Sequence, residues 1–100
     1  MYYILQVDFP YTGPWGTAMH QAMEELARSI SLEPGFIWKY WTENQETHEA
    51  GGIYLFRDEK SAATYLEKHA SRLKSFGIPH VNGKIFSVNE ALSRLNHAPF

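Results

Sequence analysis

Three features of the chain predict an α+β fold of the β-α-β-β-α-β kind, a ferredoxin-like antiparallel sheet with two helices on one face. Strand-like and helix-like stretches follow one another in that order along the sequence. The two central strands, within Glu33 to Asp58, are apolar on both faces, so the sheet needs cover on each side. No linker, repeat or low-complexity segment interrupts the 100 residues, so one domain spanning residues 1–100 is expected.

Tyr2 to Pro10 alternates, with Tyr3, Leu5, Val7 and Phe9 on one face and Tyr2, Ile4, Gln6 and Asp8 on the other. That is a strand with one wholly apolar face. Tyr11 to Gly16 (YTGPWG) reads as a turn, with Pro14 suited to the first turn of a helix. Met19, Ala22, Met23, Leu26, Ala27 and Ile30 then recur at helical spacing, opposite Gln21, Glu24, Glu25 and Arg28. Pro34 ends that helix. Phe36 to Thr42 is β-branched and aromatic, the composition of a packed pleated surface. Strict alternation places Phe36, Trp38 and Tyr40 on one face and Ile37, Lys39, Trp41 and Glu43 on the other.

Asn44 to Glu49 holds no apolar residue and is expected to be an exposed, mobile flap over the mouth of a pocket. Ala50 to Phe56 returns as the third strand, Tyr54 and Phe56 opposing Ile53 and Leu55. Asp58 caps a second helix from about Glu59 to Phe76. Its inward stripe is Ala62, Leu66, His69, Ala70, Leu73 and Phe76, with Tyr65 on the border. Gly77 before Ile78-Pro79 is a glycine C-cap with an apolar residue beyond it. His80 to Val88 reads as the fourth strand, and Asn89 caps a short helix through Leu95. His97 to Phe100 reads as a loose tail. With helices on one face only, the other apolar face needs a partner, and a second copy packed sheet to sheet is the economical one.

The bulk numbers narrow the function classes. An apolar fraction of 44% and a charged fraction of 20% are those of an ordinary globular protein, whereas 15% aromatic residues point to a core or pocket of flat side chains. A net charge of −2 gives no electrostatic reason to seek nucleic acid or an anionic membrane. Without cysteine there is no disulfide, thiolate metal site or cysteine nucleophile. No stretch approaches the ~20 apolar residues of a membrane span. The opening MYYILQVDFP lacks the basic flank and apolar run of a signal peptide, so a cytoplasmic protein is expected.

RNA-recognition modules share this strand order, but EAGGIYLF does not carry their stacking motif. Glu49 falls at the basic position, and Gly51 and Ile53 fall at the two main stacking positions. His20, His48, His69, His80 and His97 show no ligand-like pairing, and no zinc motif exists, so no metal is expected. His69 faces the sheet from the second helix. It is either a core histidine tied to a strand side chain or a polar group at a pocket wall, able to act as acid, base or iron ligand. Trp38, Tyr40, Trp41 and Tyr54 pack the core or a dimer interface, or line an aromatic slot for a flat ligand.

The strings EPGFIWKYWTE, HEAGGIYLF and DEKSAATYLEKHASRL, in that order and spacing, closely resemble the YdhR-like monooxygenase family. GPWG and VNEALS carry the resemblance through nearly the whole chain. The resemblance implies membership of the dimeric α+β barrel group, which includes cofactor-free antibiotic-biosynthesis monooxygenases and haem-degrading enzymes. It implies a homodimer whose two sheets close into a barrel, with one pocket per subunit between sheet and helices. The expected function is a cofactor-independent monooxygenase acting with O2 on a flat aromatic or polycyclic small molecule. The alternative is a non-catalytic small-molecule binding dimer, or a haem-handling protein using His69. By residue type His69 and Tyr54 are the catalytic candidates, and Trp38, Tyr40, Trp41 and His48 the substrate-binding ones.

Overall fold

Four strands, β1 (Tyr3–Pro10), β2 (Phe36–Asn44), β3 (Glu49–Phe56) and β4 (Asn82–Ser87), form one antiparallel sheet in the order β2-β3-β1-β4. Helices α1 (Gly16–Ile30) and α2 (Glu59–Ser75) lie on one face, and a short α3 (Glu90–Leu95) follows β4. The structure, a computed structural model, describes residues 1–100. This is the α+β, ferredoxin-like arrangement expected from the order of apolar patterns.

The core lies between the sheet and its helices. Leu5, Val7 and Phe9 of β1 point into it, and across the ladder Leu5 meets Tyr54, Val7 meets Gly52 and Phe9 meets Ala50. Leu5, Tyr54 and Phe56 are wholly buried. Burial of an apolar side chain the size of Leu5 or Phe56 contributes about 1.5–3 kcal/mol. Asp58 caps α2 by accepting from the Ser61 N–H at 2.7 Å. At the other end Gly77, at φ 93°, lets the Ile78 N–H turn back to the Leu73 carbonyl.

The inward stripe of α2 is rotated from the one expected. Ala62, Tyr65, His69 and Leu73 are its buried residues, while Leu66 is half-buried and Phe76 is 63% exposed. Tyr65 sits at the centre because its hydroxyl lies 3.1 Å from that of Tyr54, a partner inside the core. Leu66 leans instead on Gly83 of β4, where a side chain would leave it no room. The first helix begins at Gly16, two residues beyond Pro14, and the Gly16 N–H is taken by the Glu43 carboxylate at 3.0 Å.

Strand β2 departs from strict alternation. Its pairing with β3 is displaced between Phe36 and Trp38, so Phe36 lies opposite Phe56 while Trp38 lies opposite Leu55. The irregularity at Ile37 turns Phe36 to the core side, alongside Lys39 and Trp41, and leaves Trp38 and Tyr40 on the outer face. The expected set of Phe36, Trp38 and Tyr40 on one face is corrected accordingly.

The connection between β2 and β3 is shorter than expected, because pairing continues to Asn44 and resumes at Glu49. The Asn44 side chain accepts from the Thr47 N–H at 3.1 Å, and His48 takes a left-handed φ of 57°. Asn89 caps α3 as expected, accepting from the Leu92 N–H at 3.1 Å. The last residues are not a loose tail. Trp38 Nε1 donates to the Pro99 carbonyl, and the Phe100 ring lies 5.1 Å from Tyr2 and 4.7 Å from the Arg94 guanidinium. They lay part of the outer sheet face under cover.

Candidate functional site

Helix α1 stands off the sheet, and the gap is a cavity of about 510 Å³. Lys39 and Trp41 of β2, Phe9 of β1 and Ala50 of β3 form its floor. Met19, Met23 and Leu26 of α1 roof it, which is why Met23 and Leu26 are only half-buried. The end of α2 supplies His69 and Leu73, and the chain from Phe76 to Pro79 continues that wall. The turn from Pro10 to Pro14, with Thr42 and His48, lines the remainder. No aspartate or glutamate lines it.

Lys39 is the cation on this apolar floor. Its ammonium nitrogen lies 3.4 Å from the centre of the Trp41 ring and 4.6 Å from that of Tyr54. Gly52 makes this pose available, because a side chain there would come within 2.6 Å of Lys39 Cε. Burial, and secondarily the nearby Arg72 charge, pull the Lys39 amine down to about 7. The two aromatic faces favour the charged form and oppose part of that fall. The amine is therefore divided between charged and neutral forms near pH 7.

Behind it lies a polar cluster on α2. Arg72 Nη2 is 2.8 Å from His69 Nδ1 and 3.5 Å from the Tyr65 hydroxyl, which in turn meets Tyr54. A guanidinium only donates, so His69 Nδ1 accepts and the ring proton sits on Nε2. His69 is 3% exposed, and burial first, then the Lys39 and Arg72 charges, push its pKa down to about 3. It is a neutral imidazole throughout the physiological range. Its Nε2–H is left able to donate, and a ring held neutral to so low a pH is a poor base. The same tautomer offers no lone pair on Nε2 to iron, so the haem-ligand role considered for His69 does not fit its surroundings.

The candidates divide as follows. Trp41, His48 and His69 line the cavity together. Tyr54 lies beneath the floor, 0% exposed, with its hydroxyl committed to Tyr65 and its acidity suppressed by burial. Tyr54 is thus not part of the cavity lining, and its ring lies under the Lys39 ammonium. Trp38 and Tyr40 sit on the outer face, their rings 5.0 Å apart, because the irregularity at Ile37 fixes their side of the sheet. They do not line the cavity of this chain. Lys39, Met19, Met23 and Arg72 were not among the site candidates read from the sequence. The one available signal was a lysine among aromatic residues on the Trp41 side of β2, with paired glycines in the return strand.

No three His, Asp or Glu side chains gather closely enough to hold a metal ion. No helix is long and apolar enough to cross a membrane. No curated protein matches the chain. Among solved structures, the fold is similar to that of a mutant of SnoaB, a cofactor-independent oxygenase from Streptomyces nogalater. That likeness has a TM-score of 0.61 at 15% identity and covers 88% of this chain and 93% of that one. At such identity it speaks for the fold alone. The family described as "Putative mono-oxygenase ydhR" matches residues 4–99. The chain belongs to that mono-oxygenase family.

Proposed function

We propose that this protein oxidises a flat aromatic or polycyclic small molecule with O2, without metal or flavin, as a homodimer. The observation that carries the reading is Lys39, an amine titrating near neutrality on the floor of an apolar, aromatic-walled cavity. Such an amine is a general base matched to pH 7. Family membership and the likeness to a cofactor-independent oxygenase support the reaction class.

In this mechanism the substrate supplies the electrons. Lys39 removes a proton from a carbon or hydroxyl conjugated with the ring system. The charge spreads over the rings and gathers on the substrate oxygen, to which His69 Nε2–H donates. The delocalised anion passes electrons to O2, a carbon–oxygen bond forms, and loss of water leaves a carbonyl. Where the reacting carbon is a ring methylene, each turnover consumes a single O2. One of its oxygen atoms ends in the new carbonyl, and the other leaves as water with both methylene hydrogens. Trp41 and the methionines of α1 hold the rings and limit water around the anion. Tyr54 and Arg72 act as positioning residues, the first under Lys39 and the second behind His69.

Titration of hydroxylated naphthalenes, anthrones and flavonoids against tryptophan fluorescence tests the pocket, followed by oxygen uptake with and without a chelator. Quenching together with chelator-insensitive uptake is the expected result. Quenching without uptake identifies a binding protein without turnover. Uptake that vanishes on chelation rules out the cofactor-free route.

A further inference from the structure

We propose that the cavity selects an anionic flat aromatic ligand, an aromatic carboxylate or an ionised phenol, and seats its oxyanion between the Lys39 amine and His69 Nε2–H. The inference deepens the reading above and rests on it for the ligand's aromatic body. Two cations, Lys39 and Arg72, bear on the inner end of the cavity, and neither belongs to an ion pair. The ion pairs of the chain all lie elsewhere, at His20–Glu24, Arg28–Glu24, Lys68–Glu33 and Arg94–Glu90. Arg72 Nε is buried with no partner at all.

The groups packed around Lys39 offer it no counter-charge. Trp41 comes from its own strand, Tyr54 from β3, and His69 and Arg72 from α2. Helix α1 contributes Met19, Met23 and Leu26 to the cavity, and Tyr11 and His48 close its outer part. The nearest acid to that outer part, Glu43, bears on Tyr11 and is engaged by the Gly16 N–H. Burial costs Lys39 part of its charge and leaves the Arg72 guanidinium without a counter-ion, and a neutral ligand relieves neither. An oxyanion removes that cost and meets two donors at once.

The arrangement also governs protons. An anion beside Lys39 favours its ammonium form. A carboxylate, already ionised, therefore draws a proton from solvent onto Lys39 as it binds. A phenol brings its own proton and transfers it, which joins recognition to the first chemical step.

Calorimetry under nitrogen with 2-naphthoate and its neutral isostere 2-naphthamide tests the charge preference without turnover. The expected result is naphthoate binding at least about tenfold more tightly, the scale of a hydrogen bond to a charged group. At about pH 8, titration in two buffers of different ionisation enthalpy should show proton uptake with naphthoate and none with the amide. Lys39→Met should lose both the preference and the uptake while still binding the amide. The wild-type comparison stands even if that variant does not fold. Equal affinities overturn the charge preference, and tight naphthoate binding without proton uptake overturns the seat beside Lys39; either result leaves the oxidation reading in place. Failure of both compounds to bind overturns the preference and the aromatic pocket with it.

Discussion

Lys39 draws its chemistry from its surroundings. The same amine in water would be charged at every physiological pH, whereas here burial and Arg72 bring it down from 10.5 to about 7. This has a consequence for stability as well as for activity. Between pH 7 and 10.5 the unfolded chain binds more protons at Lys39 than the folded one, so folding stability rises with pH through that window. Urea unfolding at both ends of the window should show wild type gaining on Lys39→Met as the pH rises. His69, lowered from 6.5 to about 3, works the same way at lower pH. Stability should climb between those values, and His69→Asn should flatten the climb. The sequence placed His69 toward the sheet but left its role open, because the tautomer depends on Arg72, one turn away and with no sequence mark of burial. Lys39 escaped notice for a related reason. A lysine on a strand is usually solvated, and only its fit over Gly52 shows that it is not.

At the scale of the elements, β3 carries adjacent glycines with different duties. A side chain at Gly51 would come within 1.9 Å of the Val7 carbonyl oxygen, which is backbone and has nowhere to go. Gly51→Ala should therefore cost about 1–3 kcal/mol or more of stability, as overpacking does. A side chain at Gly52 would meet the flexible Lys39 stem instead. Such a side chain also comes to 3.1 Å from the buried Tyr54 ring and 3.3 Å from the Tyr40 carbonyl oxygen, so Gly52→Ala should cost some stability, though less than Gly51→Ala, and should lose oxygen uptake by displacing the proposed base. Melting curves and an oxygen electrode separate the two outcomes. The elements themselves were legible in the chain, since period-two and helical spacings, the Asp58 and Asn89 caps and the Gly77 terminus are local signals. The displacement at Ile37 was not, because alternation continues through the sequence where the backbone breaks it. The rotation of α2 toward Tyr65 was hidden too, since it depends on a hydroxyl partner eleven residues earlier.

For the molecule as a whole, the outer sheet face decides the assembly. The C-terminal residues cover the Trp38 end, but Tyr40 remains 58% and Phe86 49% exposed there, with Leu92 and Leu95 of α3 exposed beyond them. A second copy across this face is the proposed cover. Light scattering should report a dimer, and Tyr40→Asp combined with Phe86→Asp should shift it to monomer without disturbing the cavity on the opposite face. A monomeric wild type at micromolar concentration contradicts the barrel. Whether Lys39 is the base of an oxidation needing no metal or flavin can be read from a single pH profile. The measurement is kcat/KM for oxygen uptake with an anthrone between about pH 5 and 9, on chelator-treated protein. The ratio should rise with a midpoint near the Lys39 value of about 7, and Lys39→Met should show no such rise. A flat profile, or unchanged uptake in the variant, would contradict that role for Lys39.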